Sequence, residues 1–266
     1  MDTWRLLKLQ TYDGFTNMAV DEAILRARIE DLVPNTLRLY CWMPSTVSMG
    51  RFQKIDDVVY VDNCKIHGVS IVRRISGGGT VFHDSEGEVT YSVVASKKDL
   101  EGQDAIEVYE KIYGGIAEAL NSLGVNADFE EGNMRNCPNL TIGGKKVSGS
   151  SQYHKKGVVL QHGTLLLDVD LRKMFTFLRV QLSENCFETM QTAEKKITSL
   201  KKELSRKISK KRVEKAMFDG FEKKLGVGFA EGQISSHELK IARQLNEEKY
   251  TRDEWNLHGR QNVKII

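Results

Sequence analysis

The sequence lacks the features of secreted, zinc-binding and membrane-spanning proteins. Its 266 residues include only four cysteines, which are widely scattered and form no C-x-x-C pair: Cys41, Cys64, Cys137 and Cys186. We therefore expect no structural zinc, and we interpret each as a buried apolar group or free thiol in a reducing compartment. No apolar run approaches the roughly 18 residues that a membrane span needs. The first residues do not begin a signal peptide. These absences predict a cytoplasmic protein with no membrane partner.

Positive charge is concentrated in one segment. The net charge is only +3, yet residues 195–215 hold ten lysines and arginines against Glu203 and Glu214. A nucleic-acid surface usually interleaves aromatic side chains with its cations or carries a known binding motif, and this segment has neither. We expect no nucleic-acid partner. The segment is interpreted as a solvated helical surface or as a surface that docks an acidic protein.

Alternating apolar residues predict an α/β (α+β) fold with a mixed, largely antiparallel sheet. Residues 69–72 and 88–94 are typical of strands. So are residues 145–152 and 157–167, which form a predicted hairpin with its turn near Lys155-Lys156-Gly157. Because a sheet must bury its apolar surface, helices are expected to flank it on one side or both.

Helical patterns occupy the centre and the end of the chain. Apolar residues recur three or four apart from Ile106 to Leu123, which predicts an amphipathic helix stopped by Gly124. Helix formers dominate from Leu171 onward. No internal repeat, linker or clear domain boundary is visible. We therefore predict a single domain, 1–266, with a helical C-terminal subregion over about 171–266.

The most informative segment runs from Arg73 to Asp84 and reads RRISGGGTVFHD. Its three successive glycines, Gly77–Gly79, are here called the triple glycine. They make a backbone that can approach a ligand closely, with cations beside it for phosphate or carboxylate. The segment joins two predicted strands, so it matches neither the dinucleotide fingerprint nor the nucleoside-triphosphate loop. Residues 143–152 and 161–164 also combine glycine with basic and small polar residues.

Together these segments resemble the lipoate–protein ligase A family. The patterns R-R-x-S-G-G-G-x-V-x-H-D and G-K-K-x-S-G-S occur in that order, and the resemblance runs from about residue 4 to residue 260. It implies the fold shared by biotin ligases and lipoyl or octanoyl transferases, which is related to the core of class II aminoacyl-tRNA synthetases. It also implies an enzyme that activates lipoate with ATP, accompanied by Mg²⁺, to lipoyl-AMP and passes the lipoyl group to a lysine of a carrier domain.

The resemblance assigns roles within these segments. Lys146 corresponds to the invariant lysine of the family, which reaches the lipoyl carbonyl and the α-phosphate, where a cation must meet developing negative charge. Asn139 departs from the family, because many relatives carry an aspartate there. No residue is assigned to a metal. The residues expected to bind substrate or adenylate are Arg73, Arg74, Ser76, Gly77, Gly78, Gly79, Val81, His83, Asp84, Asn139, Ser148, Gly149, Ser150, His162, Gly163 and Thr164.

The resemblance also implies protein partners. The typical acceptors are lipoyl-carrier domains, namely the glycine-cleavage H protein and the E2 subunits of 2-oxoacid dehydrogenases. Bacterial ligases of this type carry a further small C-terminal domain, whereas this sequence ends near Trp255-Asn256, where the large domain normally finishes. We therefore expect the accessory C-terminal domain to be absent and a separate accessory ligase subunit to supply it.

Two alternatives remain open. An octanoyltransferase of the same fold would move octanoyl from acyl carrier protein to the H protein through a cysteine thioester, and Cys137 could be its nucleophile. Against it, Cys137 lies only nine residues before Lys146, a shorter spacing than in such enzymes, and transferases of this branch tend to carry arginine in place of Gly79. The other alternative is a non-catalytic binding module that uses residues 195–215. The intact triple glycine and Lys146 argue against it.

Overall fold

The computed structural model describes residues 3–102, 104–132, 137–180 and 186–259. In this part of the chain the strands are β1 (Thr3–Tyr12), β2 (Thr36–Trp42), β3 (Thr46–Met49), β4 (Ser70–Arg73), β5 (Val81–His83), β6 (Glu88–Ser96), β7 (Asp128–Glu130), β8 (Asn139–Ile142), β9 (Lys145–Lys155), β10 (Val158–Leu166) and β11 (Gly228–Glu231). The helices are α1 (Gly14–Ile29), α2 (Ile55–Val58), α3 (Val61–Ile66), α4 (Ala105–Ser122), α5 (Leu171–Phe177), α6 (Cys186–Lys196), α7 (Leu200–Glu203), α8 (Lys210–Leu225), α9 (Ser236–Leu245) and α10 (Asp253–Asn256), with a π-helical turn at Asn246–Tyr250 before α10.

Eight strands form the main sheet, in the order β11-β1-β2-β6-β10-β9-β8-β7. Strand β1 runs parallel to β2 and β11, and every other neighbouring pair is antiparallel. A second sheet has the order β4-β3-β5, in which β3 is parallel to β4 and antiparallel to β5. The predicted mixed and largely antiparallel sheet is confirmed.

Helices cover both faces of the main sheet. In β2, Leu39 packs into the core formed with α4 and α8, whereas its neighbour Tyr40 packs into the core formed with α1 and α9. This follows from the alternation of side chains along a strand. Helix α4 lies where the apolar spacing predicted a helix, and Gly124 follows it with φ +88°. None of the described helices combines the length and the apolar character that a membrane crossing requires.

Two tight turns set the register of the strands that carry the candidate site. Gly143 and Gly144 have φ values of +54° and +74° and join β8 to β9, a conformation that favours glycine at both positions. Lys156 and Gly157, with φ +48° and +77°, join β9 to β10 and confirm the predicted hairpin. The second turn brings residues 148–152 of β9 opposite residues 161–165 of β10. Two of the three glycine-containing segments are therefore neighbours.

Candidate functional site

The triple glycine is held in place by the guanidinium of Arg74. Its Nη2 donates to the carbonyl oxygens of Gly77 and Gly79 at 2.8 Å each. Its Nη1 donates to O and Oγ of Ser48 at 3.0 and 2.9 Å, and its Nε donates to Oγ of Ser76 at 3.3 Å. A guanidinium has five N–H groups, and all five are used in these bonds. Arg74 therefore fixes the loop from inside the protein.

Arg73 holds a different part of the chain. Its Nε donates to the carbonyl oxygens of Trp255 and Asn256 at 2.9 and 3.2 Å, and its Nη1 donates to the carbonyl oxygen of Gln53 at 2.7 Å. The side chain is buried. Both arginines that we expected beside a phosphate thus bind backbone carbonyl oxygens in this structure. Arg73 binds those of the C-terminal segment and of residues 50–53, and Arg74 binds those of the triple glycine and Ser48.

Three polar atoms from separate segments meet at Gly78. A side-chain carbon added there would lie 3.3 Å from Sγ of Cys137, 3.4 Å from Oγ of Ser151 and 3.5 Å from Nη2 of Arg74. Gly78 has φ +84°, which glycine tolerates and other residues rarely adopt. Ser151 also donates from Oγ to the carbonyl oxygen of Gly77 at 2.9 Å. The half-buried thiol of Cys137 therefore lies beside a buried cation and the triple glycine.

Lys146 reaches the same region from β9. A side-chain carbon added at Gly149 would lie 2.5 Å from both Cε and Nζ of Lys146 and 3.6 Å from Oδ1 of Asn139, so the lysine side chain lies directly over the Gly149 backbone. Burial by the surrounding protein lowers the pKa of Lys146, although the charges of Cys137 and Glu130 act in the opposite direction. The side chain nevertheless retains solvent exposure. Lys146 therefore has both protein neighbours that lower its pKa and access to water.

Helix α4 borders the site on the side of Cys137. The hydroxyl of Tyr113 donates to the carbonyl oxygen of Pro138 at 3.0 Å and so fixes the residue after the cysteine. Burial raises the pKa of Tyr109, and the charge of Cys137 raises it further. Both tyrosines are therefore neutral neighbours of the thiol. The four residues before Cys137, 133–136, lie outside the described residues.

Behind Arg74, the first of two serine–histidine–carboxylate chains leads away from the site. Oγ of Ser76 lies 2.6 Å from Nε2 of His162, and Nδ1 of His162 lies 3.1 Å from Oδ2 of Asp21. Asp21 also accepts from Nη1 of Arg38 at 2.7 Å. All of these side chains are buried. His162, expected near the ligand, lies in this chain behind the triple glycine.

The second chain has the same composition. Oγ of Ser48 lies 2.7 Å from Nε2 of His83, and Nδ1 of His83 lies 2.6 Å from Oε1 of Glu88. The ring of His83 stacks on Trp42, with 3.9 Å between ring centroids. His83 is buried, and like His162 it supports Arg74 through a serine.

Other predicted site residues serve packing between β9 and β10 or lie elsewhere. A side-chain carbon at Gly163 would lie 2.6 Å from Cβ of Ser150, so these strands need glycine at that position to pack closely. Ser148 and Thr164 are buried in the same hairpin, and Val81 lies partly buried at the start of β5. Asp84 differs, because it pairs with Nζ of Lys173 at 2.7 Å and lines a groove of about 1190 Å³ formed by residues 84–87, 167–172 and 190–210.

Sequence reasoning missed the polar partners of this site: Ser48, Glu88, Tyr109, Ser151 and Asp21. One signal could have found Asp21. It stands between two apolar triplets, Met18-Ala19-Val20 and Ala23-Ile24-Leu25, and in α1 this whole run is buried. A carboxylate in such a run needs a buried cationic or hydrogen-bonding partner.

Asp21 is expected to be essential for stability. Burial would raise its pKa, but Arg38 and His162 outweigh burial, and the pKa is lowered. Because Asp21→Asn leaves the buried guanidinium of Arg38 without its counter-charge, we expect the free energy of unfolding at pH 7 to fall by about 3–5 kcal/mol. A carboxylate with a lowered pKa stabilises the fold above its ordinary pKa of about 4, and this stabilisation is lost as the pH falls through the folded-state value. The difference from wild type should therefore shrink on acidification.

Urea denaturation of the wild type and of Asp21→Asn at several pH values measures this difference in the free energy of unfolding. Asp62→Asn is the matched control, because Asp62 is exposed on α3 and should leave stability within about 0.5 kcal/mol. Equal losses in the two variants would show that the Asp21–Arg38 pair does not stabilise the fold.

Gly149→Ala is expected to displace the Lys146 amine without unfolding the protein. The added methyl group would lie 2.5 Å from Cε and Nζ of Lys146, the far end of a flexible side chain, which can move aside. Because a misplacement of about 1 Å in a reacting group can cost about 10²-fold in rate, we expect a comparable loss of turnover with a nearly unchanged melting temperature. Gly228→Ala in β11 is the control, since nothing lies within 4 Å of the carbon it adds. Equal turnover in the two variants would contradict the placement of Lys146 over Gly149.

Comparison with known proteins identifies the family. The model of the lipoyl protein ligase A/B catalytic domain matches residues 13–222. The chain belongs to this family. The octanoyltransferase LipM of Clostridioides difficile (strain 630) is 34% identical over 271 residues, which cover 96% of this chain and 99% of that protein. The octanoyltransferase LipM of Kyrpidia tusciae is 38% identical over 275 residues, with the same coverage of 96% and 99%.

A solved structure confirms the predicted fold. The bi-partite lipoate protein ligase of Thermoplasma acidophilum is 26% identical, the match covers 100% of both chains, and the TM-score is 0.85. The lipoyl protein ligase A/B family and its mixed sheet flanked by helices are therefore established for this chain.

The prediction of an ATP-dependent lipoate–protein ligase is wrong. The curated relatives that are 34–38% identical over nearly the whole chain are named octanoyltransferases, which supports the alternative instead. The lipoate protein ligase of Thermoplasma acidophilum shares the fold at a lower identity of 26%. The predictions of lipoyl-AMP and of ATP and Mg²⁺ as cofactors are wrong for the same reason. A transferase takes an acyl group that is already activated, so it needs no adenylate. Gly79 and the nine-residue spacing between Cys137 and Lys146 do not exclude a transferase, because neither changes which groups surround the thiol.

Proposed function

We propose that this protein is an octanoyltransferase that passes an octanoyl group through a thioester on Cys137 to a lysine of a lipoyl-carrier domain. The observation that carries the proposal is the position of the Cys137 thiol, beside Arg74 and the triple glycine and within the electrostatic reach of Lys146. The names of the similar proteins support the same reaction. A cysteine flanked by cations is the arrangement that an acyl-transferring thiol needs, because cations stabilise the thiolate.

In the first step the Cys137 thiolate attacks the carbonyl carbon of the donor thioester. A new carbon–sulfur bond forms, the bond to the donor sulfur breaks, and the donor thiolate takes a proton from the Lys146 ammonium. Negative charge develops on the carbonyl oxygen in between and needs hydrogen-bond donors. No hydrogen bond among the described residues uses the N–H groups of Gly78 and Gly79, which leaves them available for this oxygen.

In the second step the ε-amine of the acceptor lysine attacks the thioester on Cys137. The amide bond forms, the Cys137 thiolate leaves, and the amine loses a proton. Lys146 suits the role of acceptor for that proton, because its lowered pKa raises the fraction of neutral amine at neutral pH. The same group thus donates a proton in one step and accepts one in the next.

The partners follow from this chemistry. We propose octanoyl–acyl carrier protein as the donor and the H protein as the acceptor, and E2 subunits stay a predicted alternative. The accessory subunit was predicted from chain length on the assumption of a ligase. The similar octanoyltransferases are covered over 99% of their length, so chain length does not distinguish a ligase from a transferase. A single catalytic domain and a cytoplasmic location remain proposals.

Trapping the acyl-enzyme tests the proposed function. The protein is incubated with octanoyl–acyl carrier protein without an acceptor, and its peptides are analysed by mass spectrometry. We expect one octanoyl group on the Cys137 peptide, which hydroxylamine removes and which apo-H protein discharges. If no adduct forms on Cys137 without the acceptor, yet apo-H protein is octanoylated when it is added, the thioester mechanism is contradicted.

A further inference from the structure

We propose that Arg74 is a positioning residue that holds Cys137 in its anionic form, and that the two serine–histidine–carboxylate chains fix its guanidinium without neutralising it. This inference rests on the proposed function, since it concerns the same thiol. It goes beyond that function by giving a role to the buried polar network behind the triple glycine. Hydrogen-bond donors, charge and burial each support it.

The direction of the hydrogen bonds is set by Arg74. A guanidinium can only donate, so Oγ of Ser76 accepts from it. The hydroxyl proton of Ser76 is then directed to Nε2 of His162, which must carry a lone pair. The ring proton lies on Nδ1 and is donated to Asp21. His162 is neutral in this arrangement, and burial lowers its pKa, which is consistent with a neutral ring.

The second chain repeats this pattern. Oγ of Ser48 accepts from Nη1 of Arg74 and donates to Nε2 of His83, whose Nδ1–H is donated to Glu88. Each chain orders one side of the guanidinium through a neutral hydroxyl. Each carboxylate is therefore separated from the guanidinium by a serine and a histidine.

No carboxylate among the described residues is hydrogen-bonded to the guanidinium of Arg74. Its acceptors are backbone carbonyl oxygens and serine hydroxyls, and Asp21 is already paired with Arg38. Burial lowers the pKa of Arg74 to about 10, and the charge of Cys137 acts in the opposite direction. A guanidinium with that value is still charged at neutral pH. In the part of the chain that the structure describes, the Cys137 thiolate is therefore the nearby anion that can balance it.

The surroundings of Cys137 distinguish Arg74 from the other cation. Among the described residues, the titratable and charged groups that face the thiol are Arg74 from the β4–β5 loop, Lys146 from β9, and Tyr109 and Tyr113 from α4. The tyrosines are neutral. Lys146 is flexible and exchanges protons during the proposed reaction, whereas Arg74 is buried and bound through all five N–H groups. The positive charge of Arg74 therefore stays beside the thiol in both steps, whereas that of Lys146 does not.

The test measures the ionisation of Cys137 directly, by following iodoacetamide alkylation of its peptide by mass spectrometry across pH. For Arg74→Met we expect the titration midpoint to rise by at least about one unit, which lowers the alkylation rate by about tenfold at pH values below both midpoints. Arg74→Lys should restore most of this rate. Lys145→Met is the control, because it removes one positive charge from a residue that points away from Lys146 along β9.

An unchanged midpoint in a folded Arg74→Met protein would overturn the inference. If that variant does not fold, Ser76→Ala replaces it, since it removes a single acceptor of the guanidinium. It should raise the midpoint by about half a unit, which is a roughly threefold loss of alkylation rate at pH values below both midpoints. An unchanged midpoint in this variant would equally overturn the inference. The proposed function is tested separately, because Cys137→Ser abolishes transfer whether or not Arg74 governs the thiol.

Discussion

Replacing Cys137 with serine is expected to reduce octanoyl transfer by about 10³-fold or more. The substitution keeps the size of the side chain but replaces a thiol with a hydroxyl, which does not ionise near neutral pH even beside Arg74 and Lys146. Transfer is measured as octanoylation of the acceptor lysine by mass spectrometry of the intact acceptor. Circular dichroism of the variant should match wild type, because no partner of the loop is removed.

Cys64 provides the control for this substitution. It is buried in the apolar cluster beside the small sheet, and burial raises its pKa to about 11, so it stays a thiol. Cys64→Ala should lose some stability but retain transfer. If the Cys137→Ser variant transfers octanoyl at the wild-type rate, a thioester on Cys137 is excluded.

Replacing Lys146 with methionine is expected to lower the transfer rate by about 10²–10⁴-fold, the usual contribution of a general acid and base. The effect should be larger in aminolysis than in acylation of Cys137, because the attacking amine must lose a proton. Single-turnover experiments separate the two steps. The amine acts as a base when neutral, so the rate should rise with pH, with a midpoint below the ordinary lysine pKa of about 10.4.

Lys145→Met is the matched control, since its side chain alternates with that of Lys146 along β9 and should leave both steps unchanged. Equal losses in the two variants would indicate a general effect of charge at this edge of the sheet. In that case Lys146 would have no proton-transfer role.

Local sequence patterns were sufficient for much of the architecture. The spacing from Ile106 to Leu123 predicted α4, and the Lys156-Gly157 turn predicted the β9–β10 hairpin, because both signals act over a few residues. The triple glycine was expected between strands at residues 69–72 and 88–94. It follows β4 as expected, but the next strand is β5 (Val81–His83), a short strand inside the predicted loop. Such features require no knowledge of distant contacts.

The partners of the site could not be predicted in this way. His162 and Asp21 are 141 residues apart, and Trp255, whose carbonyl oxygen binds Arg73, is 182 residues from that arginine. Nothing near Arg73 in sequence indicates that its guanidinium binds the C-terminal segment. Only the folded chain shows which donors of the two arginines are already used.

The choice between ligase and transferase had a different difficulty. Both reactions place an acyl group beside a cation and a loop whose backbone can approach it closely. Lys146 and the triple glycine therefore suit either reaction. The residue that separates them is Cys137, and its surroundings depend on the approach of Arg74 and α4. A lone cysteine in the sequence carries no such information.

The most direct test of the central claim is octanoylation of apo-H protein without ATP. The protein is supplied either with octanoyl–acyl carrier protein alone or with free octanoate, ATP and Mg²⁺, and the acceptor lysine is analysed by mass spectrometry. We predict rapid modification from the carrier thioester in the absence of ATP, and none from octanoate with ATP. Modification that requires ATP and free octanoate, with none from the thioester, would contradict the proposed octanoyltransferase.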